Sequence, residues 1–457
     1  MAKNFFSKPE SQVDAEASKI QTVQKVFDES LNDLVEHKAQ FVNDPNRDFT
    51  RSRKLTFIIM ILNLIRMASK SMQCELTDFF LSCGDAPSMA AFVKRREKIM
   101  YTGLIYLLRL FAGKLSEAGL AAKTFKGFLL LGVDGSKSQI DDNRDDKPSR
   151  INPDKNRMAG HNEIHINAMY DLLNHLYIDV ILQPVREANE RTALIAMAER
   201  LADPQKCIIT ADRGYESWNL LAHLDKCGAK YVIRAKTPDS NGIISGFHLP
   251  EYKEFDKTVT RRITRSQKAE YKSQKNLYRC IANYTVFDLL GENTESYYEI
   301  TLRIVCIKLN DSDSYEYLLT NLSPSEFLSD DLKKIYHLRW EIETSFRFLK
   351  HTFCLNNYHC RKREHNYQEV AARMIMYNYC SAVNECVETE QKAENKYRYR
   401  NNFSNAITAC RMLLERRADF IDIVMNISRH KVPIRENRRY SREKRNREVP
   451  DHNNRIA

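Results

Sequence analysis

The chain lacks the marks of several common classes. Its 11 cysteines are scattered and form no CxxC pair, which argues against a zinc ribbon or a dithiol redox motif and fits free thiols in a reducing compartment. The longest apolar run, LTFIIMILNLI, is too short to span a bilayer and reads as a buried helix. MAKNFFSKPESQVDAEASK at the N-terminus carries no apolar stretch of the kind a signal peptide needs, so the expectation is a cytoplasmic, nucleoid-associated protein with no membrane partner. Tryptophan is scarce, at Trp218 and Trp340 only. An acidic excess is also missing. Against 60 Asp and Glu stand 71 Lys and Arg, a formal net charge of +11, and such a balance favours an anionic partner, nucleic acid before membrane.

At 457 residues there is length for two or three domains. Residues 1–125 read as helical: QTVQKVFDESLNDLVEHKAQFV, KLTFIIMILNLIRMAS and YTGLIYLLRLFAGKLSEAGLAAK have apolar residues at helical spacing. A short helix, SMAAFVKRREKIM, is expected to be capped by Ser88, and its basic face (Lys94, Arg95, Arg96) suits phosphate contact or an ordinary solvated surface. Strand patterns follow over 126–236: KGFLLLGVDGS, a pair around a turn at Asn174-His175, KCIITADRGYES and AKYVIRAK, with helices at NERTALIAMAERLAD and WNLLAHLDKCG. This order predicts an α/β fold with a mixed sheet. Residues 237–322 are strand-rich and read as a β-rich insertion. Helices resume over 323–385 and 386–430, the latter a candidate dimerisation region. Residues 431–457 read as a basic, disordered tail, either a source of salt-dependent affinity for nucleic acid or a plain solvated charge run.

The segment IYHLRWEIETSFRFLKHTF is the most informative. Tyr336, Arg339, Glu343 and Lys350 recur at steps of 3, 4 and 7, which return them to one helical face. One carboxylate, two cations and a phenol on one face suit a phosphodiester better than a core. Upstream, Asp134 is expected to end the strand FLLLGV and Asp212 to end CIITA, so that both can meet Glu343. Hard divalent cations take such oxygen ligands, and two of them can serve phosphoryl transfer. Arg213 directly follows the second acid, and Arg361, Lys362 and Arg363 follow the signature helix. Each is a candidate backbone contact.

With these residues in hand, the chain resembles the DDE transposases of bacterial insertion sequences, specifically the IS-four family. GVDGS, TADRGY and YHLRWEIETSFRFLK carry the likeness, which runs from about residue 50 to 425 and includes the Y-(2)-R-(3)-E-(6)-K signature. The resemblance implies an RNase H-like core and catalytic, metal-binding Asp134, Asp212 and Glu343. It further implies two Mg²⁺ per site (Mn²⁺ being able to substitute) and Tyr336, Arg339 and Lys350 at the transposon end. It implies cut-and-paste transposition on double-stranded DNA, the terminal inverted repeats and the target, by a homodimer. Relatives with this signature stack a flipped base on an aromatic of the insertion. Neither tryptophan falls there, which leaves Tyr315 and Tyr317 as candidates or as plain strand residues. Two other readings are an RNase H-like nuclease without strand transfer and a non-catalytic, transposase-derived DNA-binding protein.

Overall fold

The computed structural model describes residues 8–51, 53–81, 86–152, 160–247, 249–250, 253–291, 296–309 and 314–435. Five helices come first: α1 (Glu10–Glu36), α2 (Phe57–Arg66), α3 (Met72–Phe80), α4 (Met89–Arg96) and α5 (Tyr101–Glu117). Side-chain oxygens of Thr56, Ser71 and Ser88 accept from the third backbone N–H beyond them and so start α2, α3 and α4.

The middle of the chain holds β1 (Leu129–Ile140), β2 (Arg150–Ile151), β3 (His161–Asp171), β4 (Leu176–Pro184), α6 (Glu190–Glu199), β5 (Cys207–Ala211), α7 (Trp218–Cys227) and β6 (Lys230–Arg234). The β3–β4 turn forms at the anticipated place. His175 takes the left-handed conformation (φ 57°), and Asp171 Oδ1 accepts from the backbone N–H groups of Leu173 and Asn174. The Asn189 side chain caps α6, and Gly228, at φ 83°, ends α7.

Beyond lie β7 (Phe255–Thr264), α8 (Ala269–Ser273), β8 (Tyr278–Cys280), β9 (Tyr297–Lys308), β10 (Tyr315–Thr320), α9 (Ser329–Leu338), α10 (Trp340–His351), α11 (Arg363–Glu385), β11 (Arg398–Asn401), α12 (Phe403–Leu414), α13 (Phe420–Arg429) and β12 (Lys431–Ile434). Residues 431–434, expected to open a disordered tail, instead form β12, which pairs with β11 from Asn401↔Lys431 to Arg398↔Ile434. The tail beyond residue 435 and Cys83 lie outside the described residues.

One ten-stranded sheet runs in the order β2-β3-β1-β5-β6-β10-β9-β7-β8, with β4 on the far edge of β3. β1 pairs antiparallel with β3 and parallel with β5, and β5 is parallel to β6. This is the mixed α/β sheet expected of an RNase H-like core. The strand-rich segment does not stand apart. β10 zips antiparallel onto β6, and β9 and β7 extend the same sheet.

Alternation along each strand divides the interior in two. Leu130, Ile208, Val232 and Leu318 face a core shared with α1, α2, α5 and α11. Leu131, Ile209, Ile233 and Leu319 face a second core shared with α6 and α7. The N-terminal helices are thus continuous with the core under the sheet. α11 lies buried along nearly its whole length, which explains its apolar and small residues on every side.

Candidate active site

β1 is buried on both faces as far as Val133 and opens at Asp134. Its parallel partner β5 stops at Ala211, while β3 stays paired with β1 out to Ile140. Asp134 is therefore mid-strand, not at the strand's end as the sequence suggested. Pairing with the distant β3 carries the strand past the turn-like Gly-Ser pair. The β1–β5 register runs from Leu129↔Cys207 to Gly132↔Thr210. Carried two residues further, it sets Asp134 level with Asp212, which leads out of β5 into a short turn.

The signature helix closes over this break. α9 and α10 are separated only by Arg339, whose backbone stays near-helical (φ −50°, ψ −30°). Tyr336 Oη donates to Asp212 Oδ1 at 3.2 Å, and Arg339 Nη2 donates to Glu343 Oε1 at 2.8 Å. Both Tyr336 and Arg339 are only 4% exposed, so in this structure they hold carboxylates and do not face outward. Glu343 and Lys350 are half-buried on α10.

Two residues unforeseen in the sequence join them. Arg234, at the end of β6, lies 3.7 Å from Asp212 Oδ1 and 3.3 Å from Glu316 Oε1. The basic residue closing the apolar strand YVI was its only signal. Trp340, beside Arg339, is 46% exposed, with the guanidinium 5.2 Å from its ring centre. An exposed tryptophan next to an arginine is a ready stacking surface, and it lies on α10 instead of in the strand-rich segment.

Electrostatics mark Asp134 out. Burial lifts its carboxyl from 3.8 to about 6; Gly135 N–H and Arg339 pull it down, and Glu343 and Glu190 push it up. Among the described residues Asp134 makes no ion pair. Burial likewise raises Glu316, with Arg234 opposing, and lowers Lys350, with Asp134 and Glu163 opposing.

The donors suit a hard divalent cation, being carboxylate oxygens without a thiol in the set. Asp134 in particular is a half-buried carboxylate that, among the described residues, no side-chain cation pairs with directly. Among the described residues no three His, Cys, Asp or Glu side chains are gathered tightly enough to enclose a metal ion, so the carboxylates form an open set.

Other candidates separate. Arg213 and Lys94 are exposed. Arg95 is half-buried, 3.9 Å from the Phe49 ring centre, and donates to the Leu55 carbonyl. Arg96 is a correction. It is fully buried, bonded to Gln368 Oε1 at 2.7 Å and Glu369 Oε1 at 3.0 Å of α11, so it cannot reach DNA. Tyr317 is a second correction, since it packs in the α7-side core near Phe255 and offers no face for a base. Tyr315 is half-buried on the same strand. Lys362 is paired with Glu97, and Arg363 with Asp146.

No curated protein matches the sequence. Among solved structures, the chain is similar to a cryo-EM structure of the piggyBac transposase synaptic complex with hairpin DNA. They share 13% identity at a TM-score of 0.40, over 80% of this chain and 70% of that one. The family model described as the transposase DDE domain matches residues 128–379, more than half of the chain and the whole span from β1 into α11. The chain belongs to the transposase DDE domain family.

Proposed function

We propose that the protein is a cut-and-paste DNA transposase of the IS-four family, with Asp134, Asp212 and Glu343 as its metal-binding, catalytic carboxylates. The observation that carries this reading is the meeting of three segments distant in sequence: Asp134 and Asp212 level across the β1–β5 break, and α9–α10, which carries Glu343, joined to Asp212 through Tyr336. When bound, two divalent cations would activate the attacking oxygen and stabilise the leaving one in phosphodiester hydrolysis and then strand transfer.

The chain's own residues do the rest. Tyr336 orients Asp212, and Arg339 orients Glu343, as partners of ligating carboxylates generally do. Arg234 and Arg339 supply fixed positive charge among the acids and so lower the cost of bringing a phosphodiester into an acidic cleft. Lys350, on the same helix, fits a point-charge contact to phosphate, and exposed Arg213 and Lys94 fit contacts to the DNA backbone. Two copies would pair two inverted-repeat ends.

The test uses duplexes bearing the inverted repeats that flank the gene, with cleavage and joining followed on gels in Mg²⁺. Asp134→Asn, Asp212→Asn and Glu343→Gln should each lower cleavage by on the order of 10³-fold or more while end binding persists. Cleavage of these ends without joining of pre-cut ends to target DNA would favour a nuclease.

A further inference from the structure

One carboxylate beside Asp134 has no place in the triad. Glu190 opens α6, and its carboxylate faces the glycines that follow Asp134 and Asp212. On one side a Cβ at Gly135, the residue after Asp134, would collide with Glu190 Oε1 and would meet His165 Nε2 at 2.6 Å. On the other side a Cβ at Gly214, two residues after Asp212, would lie 3.8 Å from Glu190 Oε2. Arg191 Nε donates to the Gly214 carbonyl at 3.0 Å and fixes the start of α6 against that turn. Glu190 thus fills the space that Gly135 leaves open next to Asp134 and touches the turn that follows Asp212.

His165 stands behind it. The ring is 5% exposed, and its Nε2 lies 3.1 Å from Glu190 Oε1, off the line of a hydrogen bond. Its Nδ1 is buried with no hydrogen-bond partner. A buried polar ring left unsatisfied and turned toward a carboxylate costs stability unless the site uses it. Histidine with no structural partner on one side and a half-exposed carboxylate on the other suits an outer partner that orients a metal-ligating acid.

We propose that Glu190 is a fourth carboxylate of the divalent-cation site, with His165 as its positioning residue. This rests on the functional reading above. Four acids around the break give two hard cations more anionic oxygen than a triad does, and Glu190 reaches that space from the α6 side of the sheet, opposite α10.

The test is Mn²⁺ binding to the full-length protein without DNA, read from the electron paramagnetic resonance of free Mn²⁺, with thermal melting run alongside. Glu190→Gln is expected to weaken at least one Mn²⁺ by about tenfold or more, and His165→Gln to weaken it by a smaller factor. Glu190→Asp, which keeps the charge on a shorter arm, should fall between Glu190→Gln and the unaltered protein. It also serves if Glu190→Gln melts early. A Glu190→Gln isotherm identical to that of the unaltered protein, with Asp134→Asn impaired, overturns the fourth ligand alone. If Asp134→Asn also binds Mn²⁺ normally, the triad reading falls with it.

Discussion

Replacing Asp134 by asparagine should stabilise the metal-free protein at neutral pH. In the fold its carboxyl sits at about 6 against an ordinary 3.8; burial is the main cause, and the charges of Glu343 and Glu190 add to it. The folded form thus binds a proton that the unfolded chain has already released. The cost of ionising Asp134 is absent below about pH 4, grows as pH rises toward 6, and is complete above it. At roughly 1.4 kcal/mol per pH unit, the rise from 3.8 to about 6 amounts to at most about 3 kcal/mol. Asparagine keeps the shape and an oxygen for Gly135 N–H, and it carries no charge. Urea unfolding in EDTA should therefore show Asp134→Asn more stable at pH 7.5, by up to about 3 kcal/mol, with the gap closing toward pH 4. Mg²⁺ should shrink or reverse the gap, because the cation stabilises only the ionised site. An asparagine variant no more stable than the parent at pH 7.5, or a gap independent of pH, would refute the reasoning.

Removing the Arg96 side chain leaves Glu369 facing His359 and Arg373 in a fully buried network, so Arg96→Ala should cost roughly 3–5 kcal/mol in urea unfolding. A loss below about 1 kcal/mol would contradict the buried role given to Arg96. Lys94→Ala should leave stability unchanged and lower the salt slope of DNA binding by about one. An unaltered slope would remove Lys94 from the interface. Trp340 is the more exposed of two tryptophans, so end DNA should change the protein's fluorescence and Trp340→Phe should abolish that change. A signal surviving in Trp340→Phe would assign it to Trp218.

Local pattern carried much of the fold and the acids themselves. Caps at Ser88 and Asn189, the turn at His175 and the helix stop at Gly228 are written in neighbouring residues, and Asp212 does follow its strand. What local pattern cannot show is which strand a strand meets. β1 runs past Asp134 because β3 pairs with it, and the strand-rich segment joins the main sheet because β10 zips onto β6. The same blindness misplaced Arg96, since a basic helix face reads as solvated until α11 covers it. It also hid Arg234 and Glu190, whose roles depend on neighbours brought from other strands.

The central claim, that these carboxylates hold the metal, is tested most directly by exchanging the ligand and the ion together. Thiolate is a poor ligand for Mg²⁺ and a better one for softer ions. Cleavage of inverted-repeat ends by Asp212→Cys should fail in Mg²⁺ and recover in Mn²⁺. Undiminished cleavage by Asp212→Cys in Mg²⁺ would contradict the claim.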